Sequence, residues 1–196
     1  MNLPNILTIL RVLLTFIFMY FLFLPGIFAK LMAIFIFFLA SLTDYWDGYL
    51  ARKNNLVTNF GKLMDPVADK ILVLAAFIAF VEMGLMFSWM AMIIVGRELL
   101  VTGIRILVMM NGTVIPAMRA GKHKAVSQFF TIITVLLFLF VRELLIGKNL
   151  WNSFWEGAFN HTVFWLFFFV TFVTLLSGIS FLYHHRFYLS RIINKE

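Results

Sequence analysis

Residues 28–50 read FAKLMAIFIFFLASLTDYWDGYL, and residues 51–70 continue ARKNNLVTNFGKLMDPVADK. From Phe28 to Thr43 the one charged side chain is Lys30. Such a run approaches the ~20 apolar residues that a membrane-crossing helix needs. It then meets Asp44 and Asp47, carboxylates that a lipid-facing surface does not tolerate without a purpose. The stretch therefore reads as a spanning helix whose end carries chemistry.

The whole chain supports that solvent. Its 196 residues are 63% hydrophobic and 13% charged, with mean hydropathy +0.98, whereas soluble domains lie near ~45–50% and ~25%. A soluble core of this size could not hide that much apolar surface. An ordinary globular enzyme, a disordered chain and a secreted disulfide scaffold are excluded. With no Cys there is no disulfide framework, thiol nucleophile or Cys-ligated metal. The net charge of +7 comes without a dense basic run. It fits cytoplasmic loops and anionic lipid headgroups, with no call for nucleic acid.

Six segments suit spanning helices: residues 6–24, 28–50, 67–82, 89–110, 126–146 and 163–183. Pro25-Gly26, Asn111-Gly112 and Gly147 punctuate the gaps. The third can extend upstream through Pro66, which suits a first helical turn. The first is too long for a signal-peptide core and lacks a small-residue cleavage site before Pro25. Its Arg11 suggests a shallow, partly interfacial entry. The expected fold is all-α, an integral membrane protein of six transmembrane helices forming a single domain over residues 1–196. One set of loops holds Arg52, Lys53, Lys62, Arg119, Lys122, Lys124, Arg186, Arg191 and Lys195; the opposite set holds Lys30, Arg142 and Lys148. The richer set belongs inside, with both termini cytoplasmic.

The four aspartates of the chain, Asp44, Asp47, Asp65 and Asp69, all fall in one window of 26 residues. Asp44 and Asp47 are i,i+3 and Asp65 and Asp69 are i,i+4, so each pair shares a helix face. A short antiparallel connection lets all four converge at the cytoplasmic ends of the second and third helices. Four neighbouring anions must be hydrated, partly protonated or compensated by cations. Hard oxygen ligands favour Mg²⁺, Mn²⁺ or Ca²⁺ over zinc, and four carboxylates suffice to bridge two ions ~3.5–4 Å apart. Gly48 lets a ligand approach Asp47 closely. Gly61 opens the start of the third helix, and Arg52 sets a permanent cation at the same mouth, suited to phosphate. The structural alternative pairs these carboxylates with Lys53, Lys62 and Lys70. A divalent-cation transporter fits the aspartates too, but it leaves the glycines and Arg52 unexplained.

The pattern Asp44-x₂-Asp47-Gly48-x₂-Ala51-Arg52-x₈-Gly61-x₃-Asp65-x₃-Asp69 resembles the signature of the CDP-alcohol phosphatidyltransferase family, with every position filled. Finer features resemble the branch that joins CDP-diacylglycerol to sn-glycerol 3-phosphate. They are the opening from Asn2 to Arg11, Asp65-Pro-Val-Ala-Asp69-Lys70, Gly96-Arg97-Glu98-Leu99-Leu100 with Arg105, and Gly121-Lys122-His123-Lys124 followed by Gln128. Ala125 stands where that branch often has Thr.

The resemblance implies a phosphatidyltransferase releasing CMP, or a sibling with inositol phosphate, serine or phosphatidylglycerol as acceptor. It implies two ions, Mg²⁺ or Mn²⁺, held by Asp44, Asp47, Asp65 and Asp69, with Asp69 also the base on the acceptor hydroxyl. The CDP-lipid would meet Gly48, Ala51, Arg52 and Gly61, with Asn5, Thr8 and Arg11 completing the pocket. Partners would be CDP-diacylglycerol, sn-glycerol 3-phosphate, membrane lipids and a second copy in a homodimer, in the plasma membrane of a bacterium.

Other polar residues divide between two readings. Arg97 and Arg105 suit an anionic acceptor's phosphate, or either pairs structurally with Glu98. Lys122 and Lys124 would join the acceptor site, but at i,i+2 they do not share a face, so one of them is expected to reach it. Their plain reading is positive-inside anchoring. His123, His161, His184 and His185 read as interfacial. Trp151, Trp155 and Trp165 fit an outer aromatic belt, and the loop 147–161 shows no chemistry.

Overall fold

The computed structural model describes the backbone of residues 3–54, 59–110 and 119–193, and the side chains of residues 9–43, 70–110 and 121–186. Six helices follow in order: α1 (Leu3–Phe23), α2 (Ile27–Asn54), α3 (Asn59–Glu82), α4 (Ser88–Met110), α5 (Arg119–Gly147) and α6 (Ser153–Ile193). Among the described residues there is no strand. Helix contacts close a ring in the order α1, α2, α5, α6, α4, α3, and α3 also touches α2 and α5 across the middle.

The apolar side chains divide by size and facing. Phe18, Phe37, Phe77, Phe80 and Phe167 are fully buried, and Ala33, Ala40, Ala76 and Ala79 let the helices approach between them. Phe18 meets Phe37 at 5.5 Å between ring centres, and Phe80 meets Phe167 at the same distance. Phe16, Phe28, Met92 and Phe154 lie on the outside, each more than two-thirds exposed. An outer surface of that kind suits hydrocarbon. Within α5 and α6 the stretches Gly121–Gly147 and Ser153–Arg186 are long and apolar enough to cross a membrane. The stretches Ile9–Phe23 and Ile27–Thr43 of α1 and α2 are apolar but shorter.

Three expectations about helix ends are corrected. Pro66 is not in the first turn of α3, because the helix begins at Asn59. With no N–H, Pro66 leaves the Lys62 carbonyl without its usual helical partner, beside the aspartate window. Gly147 is the last residue of α5, as its place in the gap implied. The left-handed residue is Asn149 at φ 55°, with the Leu150 and Asn149 N–H groups returning to Leu145 and Ile146 carbonyls at 2.9 and 3.0 Å. This reciprocal closure satisfies the last carbonyls of the helix. The region 147–161 is mostly helical, because the Asn152 side chain accepts the Trp155 N–H at 3.1 Å and caps α6. Lys30 is not a loop cation: it is buried, and its ammonium donates to the Leu22 and Leu24 carbonyls at 2.6 and 2.8 Å, closing the end of α1.

The α3–α4 turn repeats the closure seen after α5. Gly84 sits at φ 70°, and the Leu85 and Gly84 N–H groups return to the Phe80 and Val81 carbonyls, both at 2.9 Å. A methyl at Gly84 would meet nothing within 4 Å, so the backbone alone opposes it. Gly84→Ala is expected to cost about 1–2 kcal/mol, read as a lower thermal unfolding midpoint in detergent. Asn149→Gly should hold or slightly raise that midpoint.

Candidate active site

The aspartate window occupies the last turns of α2 and the first turns of α3, two helices in contact. Asp44 and Asp47 lie one turn apart on α2, and Asp65 and Asp69 one turn apart on α3. Their side chains, with those of Asn5, Thr8, Gly48, Ala51, Arg52 and Gly61, lie outside the described residues. The donor set suits hard divalent cations, because all four side chains offer oxygen and none offers sulfur. Arg11 is described and is buried on α1.

The residue after Asp69 connects the window to a second constellation. Lys70 on α3 reaches across to α4, where its ammonium lies 3.1 Å from a Glu98 carboxylate oxygen and 3.3 Å from the Glu98 carbonyl. It also bonds the Thr102 hydroxyl. Glu98 is 1% exposed. Its other carboxylate oxygen receives Arg97 at 3.1 Å and pairs with Lys124 of α5. Arg97 also donates to the Ser177 hydroxyl of α6 at 2.9 Å. One buried carboxylate thus gathers cations from α3, α4 and α5, with α6 tied in through Arg97. Among the described residues three cations face one carboxylate, an excess of two positive charges. Deep burial of such a set costs several kcal/mol per ion unless the pairing is good.

A polar seam continues from this cluster between α5 and α6. Lys124, Gln128 and Thr131 share one buried face of α5 by their i,i+4,i+7 spacing. The Gln128 amide donates to the Thr174 hydroxyl at 3.3 Å.

The sequence-derived basic residues now separate. Arg97 pairs with Glu98. Arg105 is exposed, and its guanidinium lies 5.7 Å from the centre of the Phe181 ring. Lys124 turns inward while Lys122 is exposed, as their two-residue spacing requires. Ala125, where Thr is common, is exposed, so the missing hydroxyl would have faced away from the cluster. Residue-by-residue reading missed Lys70, Thr102 and Ser177 as members of the cluster. The available signal was charge at membrane depth: a lone Glu98 inside an apolar helix needs partners from other helices.

The described helices form an all-helical bundle with an apolar outer surface, in which a buried cation cluster begins one residue beyond the last aspartate. The chain belongs to the CDP-alcohol phosphatidyltransferase family, whose sequence profile matches residues 1–176. It is 42% identical over 148 residues to the CDP-diacylglycerol–glycerol-3-phosphate 3-phosphatidyltransferase of Bacillus subtilis, covering 69% of this chain and 77% of the relative. The enzyme of the same name from Rickettsia bellii is 32% identical over 180 residues, covering 92% of this chain and 93% of the relative. A probable phosphatidylglycerophosphate synthase of Mycobacterium tuberculosis is 42% identical over 130 residues, covering 65% and 62%.

Removing Glu98's charge strands the buried Lys124 and the largely buried Arg97 without their carboxylate. Glu98→Gln is expected to destabilise by about 3–5 kcal/mol, seen as a lower unfolding midpoint in detergent. Lys124→Ala should also lower the midpoint clearly, whereas exposed Lys122→Ala should stay within about 0.5 kcal/mol of the parent.

Proposed function

We propose that this chain transfers the phosphatidyl group of CDP-diacylglycerol to sn-glycerol 3-phosphate, giving phosphatidylglycerophosphate and CMP. The observation that carries the reading is the cation cluster placed one residue beyond Asp69. Among the described residues its excess of two positive charges matches a phosphate that is close to a dianion at neutral pH. Relatives named for this reaction support the same acceptor.

Asp44, Asp47, Asp65 and Asp69 would hold two divalent ions, Mg²⁺ or Mn²⁺, which would neutralise the pyrophosphate and the departing CMP. Arg52, with Gly48, Ala51 and Gly61, lines the cytidine-diphosphate side, and Asn5, Thr8 and Arg11 complete it from α1. Arg97 and Lys124 hold the acceptor phosphate, with Lys70 completing the positive field. Arg105 and Lys122, exposed at the same end, attract the anion on its way in. Asp69 accepts the proton of the acceptor hydroxyl as its oxygen bonds to the phosphorus that carries diacylglycerol. The bond from that phosphorus to the bridging oxygen breaks, and CMP leaves.

In this reading all six helices cross the membrane as one domain over residues 1–196, with both termini and the site at the cytoplasmic face. The lipid tails then stay in the bilayer while the headgroup meets a soluble acceptor. A homodimer in a bacterial plasma membrane is part of the proposal through the family alone.

Purified protein in liposomes with CDP-diacylglycerol and Mg²⁺ or Mn²⁺ should release CMP only when glycerol 3-phosphate is added. Release with serine or inositol phosphate instead would move the acceptor assignment to a sibling enzyme. No release with any acceptor, together with metal flux across the liposomes, would replace the transferase reading by transport. Asp69→Asn should abolish turnover while CDP-lipid binding falls far less; retained turnover would remove Asp69 as the base.

A further inference from the structure

Arg97 is held from two sides, and the second side lies far along the chain from the aspartate signature. On α6, Ser177 accepts a hydrogen bond from one terminal guanidinium nitrogen at 2.9 Å. Its neighbour Gly178 faces the stem of the same side chain. A Cβ at Gly178 would stand 2.9 Å from the Arg97 Cγ and 3.7 Å from its Nε. Among the described glycines this is the one where a Cβ would come so close: Gly96, Gly103, Gly121 and Gly157 meet nothing within 4 Å.

The identity of the crowded atom decides what a methyl would do. A clash at the far end of an arginine is relieved by small torsions. The position of Cγ is set by χ1, so relief there needs another rotamer or a shift of the helix. Either movement carries the whole guanidinium away from Glu98 and Ser177. Glycine at this position therefore permits the one rotamer that satisfies both partners. That rotamer leaves the Nε–H buried and without a hydrogen-bond partner among the described residues. An arginine has five N–H donors in a fixed fork, and the bonds to Glu98 and Ser177 use two of them. The remaining donors are oriented in advance.

We propose that Ser177 and Gly178 are positioning residues: they fix the Arg97 rotamer and so present its remaining donors to the phosphate of the acceptor. The inference rests on the reading of Arg97 as a phosphate contact. In this arrangement α6 sets acceptor affinity without touching the CDP-lipid, whose site is built from α1, α2 and α3. The hydrogen bonds at stake involve a charged donor and a charged ligand, so their loss is worth roughly tenfold or more in affinity.

The test is steady-state CMP release by full-length Gly178→Ala, Ser177→Ala, Ser177→Thr and Arg97→Ala, varying each substrate in turn. Gly178→Ala and Ser177→Ala are expected to raise KM for glycerol 3-phosphate about tenfold and to leave KM for CDP-diacylglycerol unchanged. Ser177→Thr, which keeps the hydroxyl, should hold the parental KM. In an Arg97→Ala background, Gly178→Ala should add nothing, because its effect passes through the arginine. Equal rises in both KM values, or additive effects with Arg97→Ala, would overturn the proposal in favour of general loosening of helix contacts. If Arg97→Ala raises KM for the acceptor but the α6 variants do not, positioning fails while the acceptor reading stands. If Arg97→Ala itself leaves that KM unchanged, the phosphate reading of Arg97 fails, and this inference with it. Should Gly178→Ala not fold, the contrast between Ser177→Ala and Ser177→Thr decides.

Discussion

The bundle turns on the burial of one negative charge. Glu98 lies inside α4 with almost no exposed surface, and the cations that compensate it come from α3, α4 and α5. A carboxylate in such surroundings is tolerable only while its partners stay within bonding distance. The interaction therefore fixes the height of three helices relative to one another, which nonspecific apolar contact cannot do, because lipid tails are as apolar as leucine. Lys70 is the consequential partner. It follows Asp69 directly, so the same contact that neutralises Glu98 sets the depth at which the carboxylate window of α3 stands.

The fold class was legible because apolar runs of spanning length leave few alternatives in a chain this poor in charge. The helical placement of the four aspartates, two on α2 and two on α3, was legible from the apolar runs that flank them. Helix ends were less so. Pro66 suggested the first turn of α3, but the helix starts at Asn59, and beyond Gly147 two asparagines, Asn149 and Asn152, close α5 and cap α6. The hub at Glu98 was hidden for another reason. Its members are dispersed from residue 70 to residue 177, and nothing local says whether Arg97 or Arg105 is the partner. Only the rotational setting of α4 against α6 decides it. The spacing of Lys122 and Lys124 did predict that one would turn inward, and the packing chose Lys124.

The two ends of the bundle use the same residue types to opposite effect. Where α5 gives way to α6, Arg142 meets Glu156 at 3.3 Å and spreads over the Trp151 and Phe159 rings at 5.7 and 5.6 Å. Charge there is matched one to one, and the arginine serves to join two helices. Around Glu98 the described cations outnumber the carboxylate by three to one. Charge is thus balanced pairwise at one end and gathered around a single carboxylate at the other.

Lys30 alters how the chain's charge is counted. Its ammonium is spent on two main-chain carbonyls at the end of α1, and Arg142 is occupied by Glu156. Of the three basic residues near that end, Lys148 alone among the described residues stands exposed to the surroundings. Glu82, Glu143 and Glu156 lie at the same helix ends, so the three basic residues there are matched by three carboxylates. The chain's net charge of +7 therefore belongs entirely to the residues outside that end.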